Sequence, residues 1–198
     1  MIGRDNNIHN IEYNTIMKKA LQNYIEQIKN NTTTDKEGYE KVMKRLEEGG
    51  PYFKSEGTSE HICAFFVPVH KPSGSVYLGY HKKADDWIPP GGHMEGKETP
   101  LKTVKREMEE ELQHSLLNEK IEFFDTSYKF IGRPESGCTG HYDLWHIVYM
   151  KNLYNFPFDK REYHDAGWFF FNEGIEKIKK NPEFAAIVRK IQQHMLIG

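Results

Sequence analysis

Residues 87–112 read WIPPGGHMEGKETPLKTVKREMEEEL: a proline-glycine corner, then a run of helix formers with glutamates crowded at its far end. Thr99 is a natural N-cap and Pro100 suits the first helical position, where a missing N–H costs nothing. At about 100° per residue, Leu101, Val104, Met108 and Leu112 gather on one stripe that would face a core. Glu107, Glu110 and Glu111 fall on a neighbouring arc, so three carboxylates share one face. Like charges at these spacings repel by a few tenths of a kcal/mol per pair, about the scale measured on isolated helices. Something cationic should offset them. On an ordinary solvated helix Lys102, Lys105 and Arg106 would do so. At a site, a divalent cation would: Mg²⁺ favours carboxylate oxygens, keeps several waters and takes further ligands from a substrate phosphate. Gly91 and Gly92 favour the second reading, because glycine lets a main-chain carbonyl approach an ion closely.

The rest of the chain sets limits on that reading. Its 198 residues fit one domain plus an extension. A formal net charge of -2 at pH 7 offers no general attraction for a nucleic acid polymer or an anionic membrane, so a polyanionic substrate must be handled locally. The opening MIGRDNNIHNIEYN lacks the apolar run of a signal peptide, and nothing later approaches a membrane span of about 20 apolar residues, so a cytoplasmic protein is expected. Cys63 and Cys138 lack CxxC spacing and are expected to be buried or free thiols rather than a disulfide or a zinc knuckle.

Ile16, Ala20, Leu21, Tyr24, Ile25 and Ile28 recur at spacings of three and four, a helical pattern. Thr34 with Glu37 fits a capping box for a second helix carrying Tyr39, Val42, Met43 and Leu46, which stops at Gly49–Pro51. From Glu60, HICAFFVPVH and SVYLGYH read as a hairpin joined by KPSG. KIEFFDTSYKFIG, HYDLWHIVYM and DAGWFFF read as further strands, and helical pattern returns from Glu173, with Pro182 as a break or first-turn residue. The expected class is α+β, helices around a mixed sheet, with an N-terminal helical hairpin over 1–50 and the main domain over 51–198.

Gly92, five residues, Glu98, seven residues and REMEEE from Arg106 resemble the Nudix box, Gx5Ex7REUxEExGU, of the Nudix hydrolase superfamily. Gly92, Glu98, Arg106, Glu107, Met108, Glu110 and Glu111 match it, while Gln113 and His114 replace its final Gly-aliphatic pair and leave the helix end open. The resemblance spans roughly His61 to Lys180 and implies an αβα sandwich. It also implies a pyrophosphohydrolase that splits a nucleoside diphosphate linked to another moiety, with Mg²⁺, or Mn²⁺ in its place. Glu107, Glu110 and Glu111 would ligate metal or activate water, the Gly91 carbonyl would join them, and Glu98 and Arg106 would form a supporting ion pair. An acid from the loop before Trp168 would complete the metal site, and Glu162 is preferred to Asp165 on spacing. Homodimers are common in the family.

Lys82 and Gly92 are candidate substrate contacts, with Arg133 and Arg161 weaker ones. Lys82 is equally a solubilising loop lysine, and Phe65, Tyr80, Trp87 and Trp145 are more readily core than base-stacking residues. His93 is left out of the catalytic set as a surface or hydrogen-bonded histidine. Two other functions share these elements: a nucleotide-sensing module without turnover, and an enzyme of the isopentenyl diphosphate isomerase type with a catalytic cysteine. The intact carboxylate set favours hydrolysis, and Cys63 lies in an apolar strand where a buried thiol is expected.

Overall fold

The computed structural model describes residues 19–29, 35–48, 50–96, 98–133, 135, 137–197. Helix α1 runs over 19–29 and α2 over Lys36–Glu48. Ile16, Thr34 and Gly49, expected to mark these helices, lie outside the described residues. Asp35 caps α2: its Oδ1 accepts the Gly38 N–H at 2.9 Å. Strands β1 (Glu60–His70) and β2 (Ser75–His81) form the expected hairpin through a 3₁₀ turn at Lys71–Ser73. Two short strands follow, β3 (Asp86–Ile88) and β4 (Gly91–His93), then α3 (Pro100–Leu112). The chain continues through β5 (Lys120–Arg133), β6 (Cys138–Tyr149), β7 (Tyr163–Phe170), α4 (Phe171–Lys177) and α5 (Pro182–Ile197), in which Pro182 takes the first position.

The strands form one seven-stranded sheet of order β3-β2-β1-β6-β5, with β4 added to β1 and β7 to β2. β1 and β6 pair in parallel from Glu60↔Gly140 to Val69↔Tyr149, and the other pairings are antiparallel, so the sheet is mixed. β1 and β2 pair at Val69↔Val76 and His70↔Ser75. Beyond that point β1 turns to β4 and β6, and β2 to β3 and β7. A strand hydrogen-bonded on both sides and covered on both faces reads as a continuous apolar run, and β1 is buried over nearly its whole length.

Alternation along β1 divides the core. Cys63, Phe65, Val67 and Val69, with Trp145 and Ile147, meet Phe171, Phe184, Ile187, Val188 and Ile191 of α4 and α5. On the other face Ala64, Phe66 and Val148 receive Val104, Met108 and Leu112 of α3. Beside them Ile62 and Leu144 receive Leu21, Ile25, Ile28, Val42, Met43 and Leu46, so α1 and α2 continue the α3 layer. Tyr24 Oη lies 2.8 Å from His146 Nε2, adding a polar tie between α1 and β6. The result is a helix–sheet–helix sandwich of the α+β class.

Three local expectations are corrected. The glycine corner is a strand, β4, paired through Gly91↔Phe65, Gly92↔Ala64 and His93↔Cys63. Leu101 is exposed, and Thr103 is buried in its place, its hydroxyl bonded to Glu98 Oε2 at 2.9 Å. β6 begins at Cys138, ahead of the apolar run that signalled it. Among the described residues no helix is long and apolar enough to cross a membrane.

Candidate active site

Strand β4 and helix α3 face each other across the site, and strand geometry explains how. Phe66 N–H donates to the Pro90 carbonyl and Met94 N–H to the Ile62 carbonyl, so positions 90 and 94 bond to β1. Antiparallel pairing alternates, and Gly91 and His93 turn their main-chain groups away from β1. Accordingly Gly91 N–H donates to Glu111 Oε2 at 3.0 Å, and the His93 carbonyl accepts from Arg106 Nη2 at 3.0 Å.

Backbone conformation and close contact require glycine at position 91, and at position 92 a larger residue would displace a carboxylate. Gly91 has φ 134°, and an added Cβ would lie 2.6 Å from the Ala64 carbonyl oxygen. At Gly92 a Cβ would lie 2.4 Å from Glu107 Oε1. The second glycine, a candidate substrate contact by sequence, is therefore the wall against which the Glu107 carboxylate rests.

α3 starts as its sequence indicates, the Thr99 hydroxyl accepting the Lys102 N–H at 3.4 Å. It ends at Leu112, where Gln113 takes the left-handed conformation, φ 49°, that glycine occupies in the Nudix box. Arg106 lies at the centre of the ionic framework. Its guanidinium grips Glu98 with Nε at 2.8 Å and Nη2 at 3.1 Å, while Nη1 reaches Glu107 and Glu110, each at 2.9 Å. Such forked charge-assisted bonds fix orientation as well as charge.

The carboxylates differ in environment. Glu107 and Glu111 are buried, whereas Glu110 is exposed. Burial pushes Glu107 up to about 7, against the pull of Arg106. Glu111 is raised well above the ordinary carboxylate range, first by burial and then by the neighbouring Glu107 charge, although Gly91 N–H and the Tyr163 hydroxyl donate to it. Two adjacent buried carboxylates share their surroundings with either a proton or a cation. The donor set is hard oxygen, which fits Mg²⁺ or Mn²⁺.

A third segment joins from the loop before β7. Asp159 N–H donates to the Glu111 carbonyl at 2.7 Å, which ties that loop to the end of α3. The Glu162 charge bears on both Glu111 and Tyr163. Glu162 Oε2 itself sits 3.4 Å from His81 Nε2 and 3.7 Å from Lys83 Nζ. Asp165 instead pairs across β2 with Tyr80. The Lys82 ammonium donates to the Lys160 carbonyl, and its main-chain N–H to the Glu162 carbonyl. Sequence reasoning passed over Lys83, His81 and Tyr163, whose proximity follows from the β2–β7 pairing and from no local pattern.

The aromatic candidates divide. Phe65 and Trp145 are core, stacked at 5.0 Å. Tyr80 and Trp87 stack on each other at 5.7 Å and are only partly buried. Arg161 is taken up by Asp159 at 2.7 Å, and Arg133 donates to the Lys83 carbonyl at 3.4 Å.

Residues 60–191 match the NUDIX domain, a span of two thirds of the chain. The chain belongs to the NUDIX domain family. Its enzyme class is that of a Nudix hydrolase. Solved structures with the same fold include the E. coli dihydroneopterin triphosphate pyrophosphohydrolase, at 14% identity and TM-score 0.60, covering 67% of this chain and 95% of that one. The C. elegans Ap4A hydrolase, in a binary complex, is similar at 19% identity and TM-score 0.54, covering 69% and 99%. A MutT NUDIX hydrolase from Burkholderia pseudomallei is similar at 15% identity and TM-score 0.54, covering 67% and 98%. At these identities the likeness concerns the Nudix fold. Comparison with curated proteins found no match.

Proposed function

We propose that this Nudix protein hydrolyses a pyrophosphate bond in a nucleoside diphosphate linked to another moiety, with Mg²⁺ as cofactor and Mn²⁺ as a substitute. The observation that carries the reading is Glu111 bonded to Gly91 and Glu107 resting against Gly92, two buried carboxylates on the glycine strand, with the Glu162 charge bearing on Glu111. Glu107, Glu110, Glu111 and Glu162, with the Gly91 carbonyl, would hold the metal, which when bound neutralises diphosphate charge.

The chain's own groups do the rest. Arg106 and Glu98 hold the Glu107 carboxylate against Gly92. Gly91 N–H donates to Glu111 Oε2 and the Tyr163 hydroxyl also donates to this carboxylate, so Glu111, its basicity raised by burial, is held beside the glycine strand. A carboxylate in that position takes a proton from an attacking water. Lys82 and Lys83, in the loop beside Glu162, would supply positive charge to phosphate oxygens. The pyrophosphohydrolase and Ap4A hydrolase with the same fold act on phosphoanhydrides by their names, which supports the substrate class. Cys63 is wholly buried and its thiol pushed up by burial, which disfavours the isomerase-type reading.

The test is turnover of purified protein on a panel of nucleoside triphosphates, nucleotide sugars, ADP-ribose and dinucleoside polyphosphates with Mg²⁺, read as phosphate or nucleoside monophosphate release. Release from at least one class is expected. Tight binding of a panel member without product would instead favour the sensing module.

A further inference from the structure

Behind the glycine strand, on the sheet face opposite α3, four side chains gather that the hydrolytic site does not use: His61 of β1, His93 of β4, and Cys138 and His141 of β6. The register explains the grouping. His61 pairs with His141 across β1 and β6, and His93 pairs with Cys63, two residues along β1. Partners in register share a face, and residues two apart on a strand share a face, so the three histidines project to one side. Gly92, between them, turns to Glu107 on the other side.

One nitrogen or sulfur from each of the four side chains lies within 4.8 Å of every other. His93 Nε2 and His141 Nε2 are 3.0 Å apart, and Cys138 Sγ lies 3.0 Å from His141 Nε2 and 3.8 Å from His93 Nε2. With Zn–N near 2.0–2.1 Å and Zn–S near 2.3 Å, the edges of a tetrahedral zinc site come to about 3.3–3.6 Å. The observed edges flank that value, and the His61 donor lies within 4.8 Å of each of the other three.

His61 supplies an independent sign. Its Nε2 lies 2.8 Å from the Thr58 carbonyl, which only accepts, so Nε2 carries the proton. Nδ1 then has a free lone pair, and it is buried without a hydrogen-bond partner. A histidine whose second nitrogen donates to a main-chain carbonyl is oriented and locked in its tautomer as a metal ligand is.

We propose that His61, His93, Cys138 and His141 form a structural transition-metal site that takes Zn²⁺, separate from the oxygen-ligated site on α3. Four ligands, three imidazoles and a thiolate, close a tetrahedron and suit a borderline-soft ion that the carboxylate site does not select. Mg²⁺ is excluded by the same donors. Partly buried His93 and His141 leave a way in. The ion would staple β1, β4 and β6 at one point, and β4 has three residues. It would thereby fix from behind the strand whose front carries Gly91, Gly92 and the carbonyl that holds Arg106. The site stands whether or not the hydrolase reading does.

The test uses full-length, tag-free protein, stripped of metal under reducing conditions and titrated with Co²⁺. One equivalent should bind with tetrahedral visible bands and a thiolate-to-cobalt charge-transfer band, displaced by Zn²⁺ and unaffected by excess Mg²⁺. The Glu107→Gln, Glu111→Gln double variant should give the same spectrum. Cys138→Ser should lose the charge-transfer band and bind Zn²⁺ at least about 100-fold more weakly in competition with a chromophoric chelator, since removing an inner ligand exceeds the roughly 10–100-fold cost of losing an outer-shell partner. Octahedral bands, a spectrum without thiolate character, loss of Co²⁺ binding in the double variant, or unchanged Zn²⁺ affinity in Cys138→Ser would each overturn the site. Should Cys138→Ser fail to fold by circular dichroism, the wild-type cobalt spectrum decides alone.

Discussion

Glu107 rests its carboxylate oxygen 2.4 Å from where a Cβ at position 92 would lie, so the two residues act as one device. Gly92→Ala should displace that carboxylate by about 1 Å and cut kcat by roughly 10²-fold, the usual cost of such a misplacement. A variant that folds and keeps wild-type turnover would separate Glu107 from the chemistry. Glu107 also has a pH signature. Its pKa in the fold, about 7, lies above the ordinary 4.5, so the metal-free protein holds an extra proton between these values and loses stability as pH rises through them. Metal binding releases that proton, so the rise in Tm on adding Mg²⁺ should grow from about pH 5 to about pH 8. A Tm shift that is constant with pH would contradict this. Gln113, in the left-handed region, stands where the Nudix box carries glycine. Gln113→Gly should raise unfolding free energy by about 1 kcal/mol, measured by denaturant titration, with turnover unchanged.

At the scale of elements, α3 was legible because its signals are local: Thr99, Pro100, the stripe of Val104, Met108 and Leu112, and the glutamate arc. Leu101 misled because the apolar stripe is narrower than its spacing allows, and the Glu98 bond makes burial of Thr103 tolerable. β4 was not legible. Gly-Gly-His has neither alternation nor β propensity, and its pairing with β1 is wholly tertiary. The same blindness left His93 aside, since its partners His61, Cys138 and His141 come from distant strands. The loop before β7 is the element on which the choice of fourth acid depends. Glu162 acts electrostatically on Glu111, and Asp165 lies on the β7 strand opposite Tyr80. Glu162→Gln should therefore lower kcat by at least about tenfold, with Asp165→Asn nearly silent, as expected for loss of one metal-facing carboxylate among several. The reverse pattern would transfer the role to Asp165.

For the whole molecule, α1 and α2 are part of the sandwich layer that also contains α3. Their amphipathic stripes were readable from spacing, but their partners Ile62, Met94 and Leu144 were not. We propose the division at residue 51 as one of function rather than of independent folding, since none of the carboxylate ligands lies before it. A chain beginning at Pro51 would expose Ile62 and Leu144 and should melt lower, while its folded fraction keeps metal-dependent hydrolysis. Loss of hydrolysis in a folded truncated protein would show that the helices shape the substrate pocket. The proposed role of the buried α3 glutamates is to hold a catalytic divalent cation. It is tested most directly by hydrolysis of the best panel substrate after chelator treatment, before and after Mg²⁺ is restored, in the wild type and in Glu111→Gln. No turnover is expected without metal, full recovery with it, and a loss of orders of magnitude in the folded Glu111→Gln protein under the same Mg²⁺. Undiminished hydrolysis in chelator, or near-normal turnover in Glu111→Gln, would contradict it.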